Sequence, residues 1–199
     1  MDEQALIQAA CRGDLAAFNQ LVLLYQGMAY NLAFRMLGDT EAAADATQEA
    51  FIKAYRNLGQ YRGGAFRAWV LRIVTNVCYD HLRNLRRRPA SSLEDMAVDA
   101  EHVGELVDPA EAPSDYALRQ ELGRVIQQAI ARLPSPQRTV LILSDIEGLS
   151  YEEIAEVMQT SLGTVKSRLS RARAKVRDYL MEHQELLPGR YRLQDDHEP

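Results

Sequence analysis

The sequence has few residues that could build a metal site or a disulfide framework. It contains only two cysteines, Cys11 and Cys78, which are far apart, and four histidines, no two of which are three or four residues apart. Zinc sites and disulfide scaffolds need closely spaced or paired ligands, so neither is indicated. We therefore expect no metal and no cofactor, and we interpret both cysteines as small buried apolar residues.

Long apolar runs are also missing. No run approaches the roughly 18 residues that span a bilayer, and the N-terminus, Met-Asp-Glu-Gln, lacks the layout of a secretory signal. Hydrophobic residues make up 47% of the chain and charged residues 26%, as in a folded, water-soluble protein. We expect a cytoplasmic chain, long enough at 199 residues for one large domain or two small ones.

The alternation typical of β-strands is absent, and nearly every periodic stretch predicts a helix. Asp14, Ser114 and Ser135 are predicted N-caps, and Pro136 is predicted to be the first helical residue after Ser135. Gly38 and Gly148 are typical of helix ends. Before the helix pair described below, helices are predicted over about residues 14–37, 41–57, 65–88, 114–133 and 135–148.

One segment differs in composition from the rest. Residues 89–113 contain seven acidic residues and no lysine or arginine, and their apolar residues are sparse. Such a segment predicts an acidic flexible linker, and about 25 residues could reach some 80 Å, enough to hold two domains well apart. We expect an all-α fold of two small helical domains, residues 1–88 and 114–181, with a C-terminal tail over residues 182–199.

The second domain carries a helix-turn-helix pattern. Ser150 and Glu153 have the spacing of a capping box, and a polar turn at residues 159–161 separates this short helix from the next. In the next helix the apolar residues from Leu162 to Leu180 repeat at three and four, which predicts one buried side. The same helix carries six cations and no acidic residue before Asp178, in a chain of net charge −5.

This basic helix has two interpretations. A run of positive charge is usually a solvated helix face. Here, however, the run follows a capped short helix at the right turn length and lacks acidic partners one turn away, which favours contact with duplex DNA. We place on the DNA side Ser150, Thr164, Lys166, Ser167, Ser170, Arg171 and Arg173.

Three strings carry a resemblance to a known family. "GTVKSRLSRAR" resembles the promoter-binding C-terminal domain, sigma domain 4, of extracytoplasmic-function (ECF, group IV) RNA polymerase sigma factors of the sigma-70 family. "DATQEAFIKAYRNL" and "FRAWVLRIVTNVCYDHLR" resemble the core domain of that family, sigma domain 2. The resemblance spans about residues 10–180. It implies that the C-terminal helix-turn-helix reads the minus-35 promoter element.

The resemblance also implies a polymerase-binding helix. In the family, the helix matching "DATQEAFIKAY" docks on the clamp of the polymerase largest subunit, and the polymerase flap is a further expected contact. Residues at three- and four-residue steps form one ridge of this helix, which could pair with arginines of a partner. From spacing alone the ridge is an ordinary solvated face. Its residues are Asp45, Gln48, Glu49 and Ile52.

The resemblance further implies that the loop before the third helix holds a flipped base of the minus-10 element. Aromatic rings, glycine backbone and cations suit the capture of a single strand. Trp69 is interpreted as a core residue because of its helical spacing with other apolar residues. The minus-10 residues expected are Tyr61, Arg62, Gly63, Gly64, Ala65, Phe66, Arg67, Arg72, Asn76 and Arg83.

These features predict an ECF sigma factor that binds core RNA polymerase and directs promoter recognition, DNA melting and initiation. The expected partners are core polymerase, promoter DNA and an anti-sigma factor, with no small-molecule substrate and no direct membrane insertion. The alternative is a stand-alone helix-turn-helix regulator, which would bind duplex operator DNA without polymerase. An enzyme is not indicated, because no catalytic triad or phosphate-binding loop is present in the sequence.

Overall fold

The computed structural model of the protein describes residues 2–87 and 113–187, and every regular element within these ranges is helical. The expected all-α fold is confirmed. The predicted linker and most of the predicted C-terminal tail lie outside the described residues. The α-helices are α1 (Glu3–Cys11), α2 (Leu15–Leu37), α3 (Thr40–Asn57), α4 (Phe66–Arg87), α5 (Pro113–Ala131), α6 (Ser135–Leu141), α7 (Tyr151–Met158) and α8 (Leu162–Glu182).

Local capping chemistry sets the helix boundaries of the first domain. The Asp14 carboxylate accepts hydrogen bonds from the amides of Ala16 and Ala17 at 2.9 and 3.1 Å, which begins α2 as predicted. Gly38 ends α2 in the left-handed region, at φ 78°. Helix α1 was not predicted, although its buried residues Leu6, Ile7 and Ala10 repeat at three and four.

Helix α3 packs between α2 and α4 along a stripe of alanines. Alanine leaves no atoms beyond Cβ between the helices, so the backbones approach closely. The opposite, outer side of α3 carries the ridge predicted to bind polymerase. The buried stripe consists of Ala43, Ala46, Ala50 and Ala54, none more than 2% exposed.

Two boundaries of the second domain differ from prediction. Helix α5 begins at Pro113, so Ser114 lies inside the helix rather than at its N-cap. Helix α6 begins at Ser135, with Pro134 at the N-cap and no side-chain cap bond. After Leu141 the chain widens into a π-turn over Ile142–Ile146 and turns away at Gly148, whose φ is 67°.

Helices α7 and α8 form the predicted helix-turn-helix. The capping box is confirmed: the Ser150 amide donates to Glu153 at 2.8 Å, and the Glu153 amide donates to the Ser150 hydroxyl at 3.2 Å. Ser161 begins α8 by accepting from the Thr164 amide. On the predicted buried side of α8, Val165, Leu169 and Ala172 are buried, while Val176 and Leu180 are partly buried and Leu162 is 39% exposed.

The two domains pack against each other in this structure, and buried residues of both form one continuous cluster. Helix α7 packs on α4, while α5 and α6 pack on α2. Tyr79 and Thr139 share a hydrogen bond of 2.8 Å across this junction, and Arg138 donates to the Met36 carbonyl at 2.5 Å. The predicted linker is long enough to hold the two domains apart, but the described residues of the two domains are in contact.

Candidate functional site

An apolar groove runs between α2 and α3 and has a volume of about 1000 Å³. Phe18, Val22 and Phe51 lie along it, with Ile52 and Tyr55 at its rim, 45% and 43% exposed. Large apolar side chains left open to water beside a concave surface are typical of a site for a partner's apolar residues. The groove is therefore the candidate protein-binding surface of the first domain.

The four residues of the predicted polymerase-binding ridge lie in different environments around this groove. Gln48 and Ile52 line it, and Asp45 is exposed one turn earlier. Glu49 is held by neighbours within the domain: Lys53 lies 2.7 Å and His81 of α4 lies 3.2 Å from its carboxylate oxygens. Hydrogen bonds from Lys53 and His81 outweigh burial and lower the pKa of Glu49. Glu49 thus contributes negative charge to the ridge but already has partners.

The predicted loop forms a second, smaller cavity of about 320 Å³. Gly63 and Gly64 both have φ 94°, a conformation open to glycine, and the Tyr61 hydroxyl donates to the Gly64 carbonyl at 2.7 Å. These contacts close the loop around the cavity. It is lined by Gln60, Tyr61, Arg62, Gly63, Ala65, Ala68, Trp69, Arg72 and Glu156.

Two aromatic residues have different places from those predicted. Phe66 is 3% exposed and packs against Tyr25 and Tyr61, so its ring supports the cavity from beneath and cannot line it. Trp69, interpreted as core, is only partly buried and lines the cavity beside Tyr61, with ring centroids 5.5 Å apart. Helical spacing identified the pair of aromatics but could not tell which ring faces outward.

The polar side of α4 continues from this cavity. Arg72, Asn76 and Arg83 are exposed at steps of four and seven residues, so they lie along one face of the helix. Arg67 differs, because its guanidinium binds Glu153 of α7 at 3.1 Å. The structure thus brings a cavity and two exposed cations onto one face, as suits a nucleic-acid strand.

Four of the seven residues predicted to face the minus-35 DNA are exposed on α8 and have no role in capping a helix or in the Asp145 ion pair. Lys166, Ser167, Ser170 and Arg171 are exposed, as predicted for residues that face DNA. Ser150 and Thr164 instead act at helix starts: Ser150 caps α7, and the Thr164 hydroxyl lies 2.9 Å from that of Ser161. Hydroxyls in these positions fix the geometry of the turn.

Arg173 is already paired in this structure. Its Nε and Nη2 atoms donate to the two Asp145 carboxylate oxygens at 2.9 and 2.6 Å. This bidentate pair lowers the pKa of Asp145 and raises the pKa of Arg173. Arg173 could reach a phosphate only by sharing or exchanging this partner, which sequence spacing gave no means to foresee.

Comparison with known families identifies the family to which each of the two domains belongs. The family model described as Sigma-70 region 2 matches residues 21–88, and that described as Sigma-70, region 4 matches residues 123–176. The RNA polymerase sigma-H factor of Pseudomonas aeruginosa is 44% identical over 177 residues, which cover 87% of this chain and 91% of that protein. The ECF RNA polymerase sigma-E factor of Escherichia coli K12 is 38% identical, with 88% and 93% covered. The chain belongs to the extracytoplasmic-function sigma factors.

Two solved structures are similar to this sigma factor over most of its length. CnrH, in complex with the cytosolic domain of CnrY, has a TM-score of 0.66 and 29% identity, covering 92% of this chain and 99% of that one. The sigma factor RpoE of Bartonella quintana, in complex with the anti-sigma factor NepR, has a TM-score of 0.63 and 26% identity, with 82% and 96% covered.

The matched regions of the sigma factor contain its candidate surfaces. Most of the α2–α3 groove and all of the loop on the cavity lie within the region 2 match, and α7 and most of α8 lie within the region 4 match. Within the described ranges, no helix is long and apolar enough to cross a membrane, and no group of acidic, histidine or cysteine side chains is arranged to hold a metal ion.

Proposed function

We propose that this sigma factor binds core RNA polymerase through the α2–α3 groove and directs it to promoters. The observation that carries the proposal is the open apolar groove with Gln48, Ile52 and acidic Asp45 beside it. A partner helix that brings apolar residues into the groove and arginines to its edge matches this surface. The clamp of the polymerase largest subunit is the proposed partner, as the family resemblance implies.

We propose that the loop cavity receives a base of the melted minus-10 element. A volume of about 320 Å³ is enough for one nucleobase, and Tyr61 and Trp69 offer aromatic surfaces. Arg72 and Arg83, with Asn76 between them, follow on the same face and can contact successive phosphates. Unstacking a base costs a few kcal/mol, which such contacts offset.

The second domain supplies the other promoter contact. A recognition helix inserts its N-terminal residues into the major groove. The exposure of Lys166, Ser167, Ser170 and Arg171 supports the proposal that they contact the minus-35 duplex. A further apolar cavity of about 370 Å³ lies on the same domain between α6 and the end of α8. We propose this cavity as the site for the polymerase flap.

An anti-sigma factor is the remaining proposed partner. The similar structures of CnrH and of Bartonella RpoE each contain a second protein, which for RpoE is the anti-sigma factor NepR. A partner that covers the α2–α3 groove would block polymerase by direct competition. With polymerase and promoter DNA as partners, the sigma factor acts in the bacterial cytoplasm and assists catalysis by polymerase without a catalytic step of its own. A stand-alone regulator is not favoured, because both sigma-70 regions match.

In vitro transcription tests the proposed function. Purified chain added to core polymerase on a genomic promoter library should produce initiation at a restricted set of sites, because the factor supplies sequence recognition that core polymerase lacks. The measurement is the mapped 5′ ends of the transcripts. Initiation no better than that of core polymerase alone contradicts the proposal, and tight binding of the free chain to duplex DNA supports a regulator instead.

Arg173→Ala tests whether Arg173 contacts DNA. If the guanidinium binds a phosphate, its loss should reduce the slope of log affinity against log salt concentration by about one unit for holoenzyme on minus-35 duplex. Asp145→Asn should tighten binding, because it frees Arg173 from its partner. Arg124→Ala, which removes an exposed arginine of α5, serves as the control. An unchanged slope for Arg173→Ala assigns this residue to the Asp145 pair alone.

A further inference from the structure

Gly27 lies in the interior of α2, is exposed and lines the α2–α3 groove. Glycine inside a helix lowers the folding equilibrium constant about two- to fivefold relative to alanine, because it loses more backbone freedom on folding. A glycine at such a position therefore costs stability. Either the packing of the chain requires it, or the space above it is used by a partner.

The packing of the chain does not require this glycine. Its φ is not positive, unlike that of Gly38 at the end of the same helix, so its backbone conformation is open to any residue. Among the described residues, a Cβ added at Gly27 would meet no neighbouring atom within 4 Å outside the backbone of its own helix. Alanine would therefore fit without strain and would stabilise the free chain.

Small side chains face Gly27 across the groove. Helices α2 and α3 are joined by only two residues, 38–39, so they run antiparallel, and the middle of α2 faces the first half of α3. Ala44 and Thr47 line the groove from that half. Little side-chain bulk thus stands over the backbone of α2 at Gly27, and the backbone of a partner can approach closely here.

Aromatic residues flank this stretch of small residues. Phe18 lies before Gly27 along α2, and its ring centroid is 5.1 Å from that of Tyr55 of α3. Tyr30 lies one turn after Gly27 and also lines the groove. A helix that crosses α2 at Gly27 can pack its side chains against these rings while its backbone is held near α2.

The charges of α3 beside the groove change sign along it. Glu41 and Asp45 are exposed near the small residues, and Arg56 lines the groove at the opposite end of α3. The sequence of α2 contains one charged residue, Arg35, which lies outside the groove. A helix with basic residues beside Asp45 and acidic residues beside Arg56 is complementary to this surface. The charges thus fix which end of the helix lies near Gly27.

We infer that Gly27 is the point at which a helix of the polymerase clamp crosses α2, with its backbone in close approach and its basic end beside Asp45. The inference rests on the proposed function of the groove. Packed helices have axes about 8–10 Å apart, depending on the side chains at the contact, and glycine allows the shortest separations. A side chain at position 27 would hold the whole partner helix away from the rings, so its effect on binding exceeds that of one methyl group.

The test is a size series at this position, Gly27→Ala and Gly27→Leu. Titration of labelled sigma factor with core polymerase, without DNA, measures affinity, and urea unfolding of the free chain measures stability. We expect affinity to fall about fivefold for alanine and about 30-fold for leucine, because each added group pushes the partner outward. We expect the folding equilibrium constant of Gly27→Ala to rise about two- to fivefold. A damaged fold would instead lower both quantities.

Gly163→Ala is the matched control. Gly163 is exposed in the first turn of α8 and lies outside the groove, and a Cβ there would meet only the Ser161 hydroxyl oxygen, at 3.9 Å. Its polymerase affinity should stay within about twofold of that of the unmodified chain. Equal losses in Gly27→Ala and Gly163→Ala would trace the effect to the loss of a flexible residue and overturn the inference. Unchanged affinity in Gly27→Leu, or a less stable Gly27→Ala, would overturn it as well.

Ile52→Lys separates this inference from the proposed function. Ile52 lines the same groove from α3, on the side of Tyr55. If Ile52→Lys loses affinity for core polymerase while both Gly27 variants keep it, polymerase occupies the groove without close approach at Gly27, and only the inference fails. If all three variants keep their affinity, the groove is not the polymerase site, and the proposed function fails together with the inference.

Discussion

Replacing Ile52 by lysine is expected to lower the affinity of the sigma factor for core polymerase about 100-fold, equivalent to roughly 2.7 kcal/mol. Ile52 lies at the rim of the apolar groove and is 45% exposed, so the change leaves the core intact. On binding, the lysine would be buried against apolar groups, and the desolvation of its charge is the source of the loss. The measurement is titration of labelled sigma factor with core polymerase.

Leu24→Lys is the matched control. Leu24 lies on α2, is 59% exposed and does not line the groove. The same chemical change there should leave polymerase affinity within about twofold, since a mutation at an exposed site away from the interface has little effect. Equal losses for the two variants, with both folded by circular dichroism, would remove the groove as the polymerase site.

The second large effect is expected at Glu147, which lies where the domains meet. Burial raises its pKa to about 7, and the positive charges of Arg35 and Arg67 lower it only in part. A carboxylate with this folded pKa and an ordinary unfolded value of 4.5 stabilises the fold below pH 4.5 and loses that contribution as the pH rises through 7. Glu147→Gln, which cannot ionise, should therefore be more stable than the unmodified chain at pH 8.

The expected stabilisation by Glu147→Gln can be estimated from the raised pKa of Glu147. The difference between a pKa of 4.5 and one of about 7 corresponds to about 3 kcal/mol, and solvent screening of a partly exposed group reduces the expected gain at pH 8 to about 1.5 kcal/mol. Urea unfolding at pH 5 and pH 8 measures it: the gain should be small at pH 5 and larger at pH 8. Glu152→Gln, at an exposed position, should show no such trend. A gain independent of pH would show that Glu147 is not titrating in this range.

Helix positions could be predicted from the sequence because the signals are local. Asp14 and Gly38 bound α2, and Ser150 and Glu153 form their capping box, through contacts between residues close in the chain. The family resemblance was confirmed for the same reason, since its motifs are continuous strings. Helix α1 carried a capping Asp2 and a short apolar repeat, and those signals could have located it.

Relations between distant segments could not be predicted in this way. The pairs Arg67–Glu153 and Arg173–Asp145 join residues 86 and 28 positions apart, and no spacing rule connects them. Periodicity put Phe66 and Trp69 near the core, but which ring is enclosed depends on Tyr25, from another helix.

The alanine stripe of α3 has a consequence for how polymerase recognition can evolve. Because Ala46 and Ala50 set how deeply α3 sits between its neighbours, any larger residue there would push the helix outward and change the width of the groove between α2 and α3. If polymerase binds in this groove as proposed, residue volume at these buried positions would change the strength of binding without any contact with the partner. Related sigma factors that compete for one polymerase could then differ in affinity through substitutions at buried positions of this helix.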